Sequence, residues 1–543
     1  MRNISQKTMK KILHGLLFAL LIITFASERA LATKPKLVVN FVVSSLRASD
    51  LERFKDNFTE GGFKRLMEGG TYYTEAYYDY MRTSTAAGMA TIATGAQPSV
   101  HGVVGDKWWN YVDGSMVELI IDRQAYPVEF STGSGNYSPH RLTAPTVGDM
   151  LLSSDNQSKQ YSIGVDARSA IVLNGKVGVA FWAEKNQTHW TTSSKYLNRI
   201  PSWVADYNRH DTNTFYTLTR WTPLYEATRY KNSEVAVIED ITDKNTKLLS
   251  DINLKLASND YGRMCYTPAG NTMLIEFAES LIALEHLGKD SSTDILNIAF
   301  DPTRYIAETY GPESMEYEDM LYRLDKDLEN FLIFLYAQFK SEEELVVTLS
   351  SAHGTSPSFN PVGGTERERF NNRQMEVIVN AFLGARYGSD DYILGFSNNA
   401  LYLNHELILR KRLDLEDICD EVAVFMLQLR GVRTALTASA LRNTSFSEGR
   451  SRLMQQSFHA TRSGDIIIDL MPGWIIEEDD YRSSSDGGYN YDSRVPLIIY
   501  GGKAKAERVE RRVKMTELAP TMAHILGIDT PWASEEMPLN EFK

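Results

Sequence analysis

Two side chains in this sequence stand where a hydroxyl or an imidazole could do chemistry. Thr85 lies in RTSTAAGMATIATG, residues 82–95, at the start of a helical pattern. His353 lies in LSSAHG, residues 349–354, directly after the apolar run Leu345-Val346-Val347-Thr348-Leu349. A threonine hydroxyl at a helix start has a plain use, which is to satisfy free backbone N–H groups. It becomes a nucleophile only when a base or a metal draws off its proton. No base is set beside Thr85 by sequence, so the cap is the preferred reading. Arg304 and Glu308 are four residues apart and would pair on a helix. His101, His189, His210, His286, His405 and His459 are scattered without ligand spacing and read as ordinary core or surface residues. No HExxH, P-loop or GxSxG pattern is present. Cys265 and Cys419 are the two cysteines, 154 positions apart and without CxxC spacing, and are expected to be separate buried thiols that form no zinc site.

The elements that must position these residues are alternating strands and helices. Lys36 to Val43 (KLVVNFVV) is near-continuously apolar, as a strand buried on both faces of a parallel sheet is. A helical pattern follows from Leu51 to Met67, with Gly69-Gly70 as its stop. The alternation returns at Ser162 to Val165, at Asp294 to Phe300 with a helix from Ser314 to Phe339, at Leu345 to Leu349, and at Val495 to Tyr500 with a helix from Thr516 to Leu526. This order predicts an α/β fold: a central, mostly parallel sheet with helices on both faces. Two insertions interrupt it. One, at about 175–265, is rich in aromatics (Trp182, Trp190, Trp203, Tyr207, Trp221) and is expected to cap the sheet edge and to offer a contact surface, or else to pack the cap onto the core. The other, at about 360–460, is expected to contain strands at Val377 to Leu383 and Ala400 to Leu403 and a helix at Leu413 to Leu429. In an open α/β sheet the ligand site lies beyond the carboxyl ends of the strands, where the motifs above all fall.

The chain has 543 residues, 43% hydrophobic and 23% charged, which is enough for a large core and too ordered in composition for disorder. Residues 1–32 have the form of a signal peptide. Arg2, Lys7, Lys10 and Lys11 precede an apolar stretch from Leu16 to Ala26, and Ala30-Leu31-Ala32 supplies the small-x-small cleavage pattern. That stretch falls short of the roughly 20 residues needed to span a bilayer, so no transmembrane segment is expected after cleavage. Cleavage takes the formal charge from −13 to −17. Such an acidic protein is not expected to bind nucleic acid.

The segments KLVVNFVVSSLR (36–47), GGFKRLMEGG (61–70), RTSTAAGMATIATGAQPSVHGVVGDKWWN (82–110), SPHRLTAPTVGDML (138–151), SIGVDARSAIVLNGK (162–176), FDPTRYIAETYGPESMEYEDMLYRLDKDLENFL (300–332), LSSAHG (349–354) and GGYNYDSRVPLIIYG (487–501) together resemble the alkaline phosphatase superfamily. Within it they are most similar to the exported PafA-type alkaline phosphatases and the nucleotide pyrophosphatase/phosphodiesterases. The resemblance covers residues 33–543 and implies an alkaline-phosphatase-like domain, with a Gram-negative periplasm or other exported location.

It also implies a site. In that family two zinc ions clamp a phosphoryl group while a Thr or Ser bound to one of them attacks phosphorus. Thr85 holds the nucleophile position, at a helix start whose amides favour phosphate. Ser44 stands where the family has an Asp after the first strand. In the segment resembling STDYVGH, Arg304 replaces the Asp and Glu308 the His; a register shift that put Asp301 in place of Arg304 is the alternative. Ala352 replaces the Asp of Asp-His-Gly, leaving His353. Before YNYD, Ser483, Ser484, Ser485 and Asp486 offer no imidazole where the family has a His. Asp106 replaces the substrate-binding Asn, and Asp166-Ala167-Arg168 replaces Lys-x-Arg, so only Arg168 still suits a dianion.

A charge network of Arg304, Glu308, Asp166 and Asp486 is therefore expected in place of metals, with no cofactor. The expected function is an exported, catalytically degenerate binding or scaffolding protein, whose partner is an unknown protein or an anionic small molecule. The alternative is a divergent phosphomonoesterase or phosphodiesterase using Thr85, with zinc as the cofactor.

Overall fold

A computed structural model describes residues 34–128, 135–183, 189–210, 221–232, 261–358, 369–477 and 481–543. The signal segment at 1–32 lies outside the described residues. Among those described, an eleven-stranded sheet runs in the order Glu507–Val509, Thr71–Tyr77, Arg494–Gly501, Leu345–Ser350, Leu37–Val43, Asp294–Phe300, Gln160–Gly164, Val179–Ala183, Trp190–Ser193, Pro127–Val128, with Val513–Lys514 also on Thr71–Tyr77. The five neighbours from Leu345–Ser350 to Val179–Ala183 are parallel, as the apolar runs predict.

Both faces of these strands are covered, which is why their sequences do not alternate. Leu37, Val39, Phe41 and Val43 face one core, shared with Leu324, Leu328 and Phe331 of the helix Met315–Ala337. Val38 and Val42 face the other, shared with Ala86 and Ala90 of the helix Thr85–Thr94. A polar ladder crosses the sheet at one level. Thr348 donates to Asn40 (2.8 Å), Asn40 to Asn297 (2.7 Å), and Asn297 to Ser162 (2.8 Å). Each group finds its partner on the next strand, so four polar side chains are carried inside the sheet without orphaning these bonds.

Three expectations need correction. The helix expected from Leu51 to Met67 is two helices, Ala48–Phe54 and Phe63–Gly69, separated by a 3₁₀ turn and Gly61-Gly62. A Cβ at Gly62 would overlap Asp325, so this glycine, at the N-cap of the second helix, permits the close approach from which that helix starts. Val377 to Leu383 is not a strand but part of the helix Asn372–Tyr387. Its β-branched residues suggested a strand, yet Met375, Val379 and Leu383 are the buried ones, at helical spacing. Thirdly, Val179–Ala183 and Trp190–Ser193 belong to the main sheet rather than to a cap. Trp182, Trp190 and Trp221 are buried, Trp190 stacks on Phe277 at 3.8 Å, and Trp203 donates to Glu285. Among the described residues these aromatics pack into the core.

A second sheet, Ile393–Ser397, Ala400–Leu403, Ile466–Leu470 and Val432–Thr437, is antiparallel and has its own core with the helices Asn372–Tyr387 and Leu415–Met426. Both cysteines are buried and unbridged. Among the described residues no helix is long and apolar enough to cross a membrane.

Candidate active site

Four adjacent parallel strands deliver the site from their carboxyl ends. Leu37–Val43 ends at Ser44, Leu345–Ser350 leads to Ala352 and His353, Asp294–Phe300 leads to Arg304, and Gln160–Gly164 leads to Asp166 and Arg168. The helix Thr85–Thr94 approaches the same edge. Gly88 on this helix lies against the Ala352 carbonyl, where a Cβ would overlap it. Gly354 is held equally close to the Tyr491 carbonyl while its N–H donates to Asp492 O at 2.7 Å. The two glycines let helix and loop meet.

At that meeting point Thr85 Oγ1 lies 2.8 Å from His353 Nε2. His353 Nδ1 lies 2.6 Å from the Gly354 carbonyl, which can only accept, so Nδ1 carries the proton and Nε2 accepts from the Thr85 hydroxyl. Burial pushes the imidazole down to about 4, keeping it neutral. The preferred reading of Thr85 as a cap is thus corrected. The cap is Ser84, whose hydroxyl accepts from Ala87 N–H; Thr85 is the first helical residue and its hydroxyl is turned to His353. Also corrected is the absence of a base beside Thr85, since the base comes from 268 positions away in sequence. The signals in sequence were the Ser84-Thr85 pair at a helix start and the lone imidazole ending a buried strand, but nothing local joined them.

Within electrostatic reach of His353 lies a charge network that includes Arg304 and Asp106. Asp166 caps the helix Ala167–Asn174 by accepting from Arg168 N–H (2.9 Å), and it receives Arg168 Nη2 (2.7 Å), Arg304 Nη2 (3.2 Å) and the Tyr305 hydroxyl (3.2 Å). Burial alone would raise its pKa, but Arg168 and Arg304 outweigh burial and hold Asp166 well below the carboxylate range. Arg168 also pairs with Asp106, and Arg304 with Glu308 at 3.3 Å. Burial keeps Glu308 above its ordinary value despite Arg304. Asp301 accepts from Ser169 Oγ (2.7 Å), on the far side from a ligand role, and burial together with the Asp166 charge raises it. The expected network therefore forms around Arg304, Glu308 and Asp166. Asp486 is the exception: its ion pair is with Arg82, at 3.6 Å.

The donor set does not fit a pair of divalent cations. Ala352 has no donor and its methyl packs into the core with Ala86 and Ala87. Ser44 is fully buried. Arg304 brings a fixed cation to the place that the resemblance gives to a carboxylate ligand. Both His353 nitrogens are engaged, Ser483 donates to the Ala307 carbonyl, and Thr83 donates to the Ser485 carbonyl. Among the described residues no group of three or more His, Cys, Asp or Glu side chains is arranged to hold a metal.

Comparison with known proteins places this geometry. The family model described as type I phosphodiesterase / nucleotide pyrophosphatase matches residues 38–490. Alkaline phosphatase PafA of Elizabethkingia meningoseptica is 29% identical over 519 residues, covering 94% of each chain. Alkaline phosphatase PhoV of Synechococcus elongatus is 29% identical over 514 residues, covering 92% of each. The crystal structure of wild-type PafA superposes with a TM-score of 0.86 at 27% identity, covering 94% of this chain and 99% of that one.

Proposed function

Because this chain belongs to the type I phosphodiesterase / nucleotide pyrophosphatase family, we propose that it is a divergent phosphoric ester hydrolase whose nucleophile is Thr85. The observation that carries this reading is the 2.8 Å contact between the Thr85 hydroxyl and the unprotonated nitrogen of His353. A hydroxyl aimed at a base, at the first residue of a ten-residue helix, is an armed nucleophile. First-turn amides have no acceptor within a helix and would meet a phosphoryl oxygen. The named phosphatase relatives, similar over nearly the whole chain, support the same reaction class.

Charge selects among esters. Asp106, Asp166 and Glu308 outnumber Arg168 and Arg304, so a singly charged phosphodiester enters at lower electrostatic cost than a doubly charged monoester. A signal-peptide-like start, residues 1–32, supports action outside the cytoplasm. Binding of an anionic molecule or a protein without turnover is the second reading, favoured by the ion pairs that occupy Arg168 and Arg304.

The test is hydrolysis of bis(p-nitrophenyl) phosphate and p-nitrophenyl phosphate by the mature protein. The diester is expected to be the better substrate, with Thr85→Ala losing at least about 100-fold in kcat. Absence of turnover on both, or turnover unchanged in Thr85→Ala, would sink the hydrolase reading in favour of the second.

A further inference from the structure

We propose that Thr85 and His353 form a metal-independent nucleophile–base dyad, with the Arg304 guanidinium standing in for metal charge at the phosphoryl group. The proposal rests on the reading of Thr85 as the nucleophile and adds how it is activated. Three features of geometry carry it. Thr85 Oγ1 and His353 Nε2 are 2.8 Å apart, and the Gly354 carbonyl fixes the ring from its other side, which is the arrangement of nucleophile, base and orienting group. Thr85 is only partly buried and open to a substrate, whereas His353 is fully buried behind it. Lastly, the positions that the resemblance assigns to metal ligands hold a methyl group at Ala352 and a cation at Arg304, whose Nε is buried without a hydrogen-bond partner.

The step balances without a metal. Thr85 Oγ1 attacks phosphorus as its proton passes to His353 Nε2, and the bond to the leaving oxygen breaks with its electron pair. The leaving oxygen departs on the face of phosphorus opposite Thr85, out of reach of the buried imidazolium, and takes its proton from water. Water then attacks the phosphothreonine from the open side, losing its proton to solvent, and the His353 imidazolium returns its proton to Thr85 Oγ1 as the phosphate is released. Arg304, and the amides of Thr85 and Ala86, face the charge that builds on the phosphoryl oxygens. Nothing anionic orients His353, only the neutral Gly354 carbonyl, so no hydrogen-bonded carboxylate strengthens it as a base. Turnover is therefore slow and confined to good leaving groups.

An alkyl fluorophosphonate probe reads the dyad directly, because threonine displaces fluoride and the adduct stays as a mass shift on the peptide containing Thr85. The mature protein is treated with EDTA and 1,10-phenanthroline, then labelled with and without added zinc. Labelling at Thr85 is expected at the same rate in both arms. It should vanish in Thr85→Ala and slow about 100-fold in His353→Gln, which can accept the Thr85 hydrogen bond but is no base. Labelling of the wild type that is lost on chelation and restored by zinc would overturn the dyad, and that arm needs no variant to fold. Diester hydrolysis that depends on zinc would likewise remove the dyad while leaving the hydrolase reading standing. Zinc-independent labelling without any ester turnover would do the reverse.

Discussion

Arg304 carries the balance of charge in the cleft, because Asp166 and Glu308 both depend on it and neither is open to solvent on more than a small fraction of its side chain. Removing one partner of a buried ion pair leaves the other uncompensated, at about 3–5 kcal/mol, whereas replacing a pair by apolar groups of similar size is often neutral. Arg304→Ala is therefore expected to lower the unfolding free energy by about 3–5 kcal/mol. Arg304→Met combined with Glu308→Leu should cost clearly less than the two single changes together, Asp166 keeping Arg168. Urea unfolding of the four proteins measures this, and strict additivity would contradict the network. At this scale the sequence was legible where an identity change speaks for itself: Ser44, Ala352, Arg304 and Glu308 stood out because their neighbours matched a known pattern. The Thr85 to His353 contact was not legible, since it depends on how a helix and a distant strand end meet. Nor was the Asp486 partner, for Arg82 lies on another segment altogether.

Elements bring these residues together through close backbone approaches and a few buried acids. Asp325, on the helix Met315–Ala337, accepts from the N–H groups of Thr59 (2.5 Å) and Phe63 (2.7 Å) and so ties the start of the helix Phe63–Gly69 to the core. Burial pushes its carboxyl up to about 6, although the two amides act the other way. A carboxyl whose value is higher folded than unfolded gives stability that is fully present below the unfolded value, near 4, and is lost as pH rises through 6. The difference in unfolding free energy between wild type and Asp325→Asn should accordingly shift by about 2–3 kcal/mol in favour of wild type as pH falls from 7.5 to 4.5. A difference independent of pH would show that Asp325 is not buried as described. The strands Leu37–Val43, Asp294–Phe300, Leu345–Ser350 and Arg494–Gly501 were readable because a fully buried strand is a short apolar run bounded by turn residues. Helix limits were less so. Gly61-Gly62 sits inside an apolar period that continues on both sides, and Val377 to Leu383 has strand-like composition with helical burial.

For the molecule as a whole, the fold is shared in outline with the phosphatase relatives, and the cleft at its strand ends holds the fixed charges of Arg304, Arg168, Asp166 and Glu308. The sheet is held by two apolar cores and by the ladder of Asn40, Asn297, Ser162 and Thr348, and the second core reaches the site through Ala86 and Ala352. The α/β class followed from hydrophobic runs, whereas the strand order comes from the structure alone. The aromatic stretch misled because tryptophans that anchor interfaces and tryptophans that fill cores look alike in sequence. The most direct test of the account is calorimetric titration of zinc into the chelator-treated mature protein. No saturable uptake is predicted, with the melting temperature unchanged by EDTA. Tight binding of two zinc ions per chain, lost in His353→Gln, would contradict it.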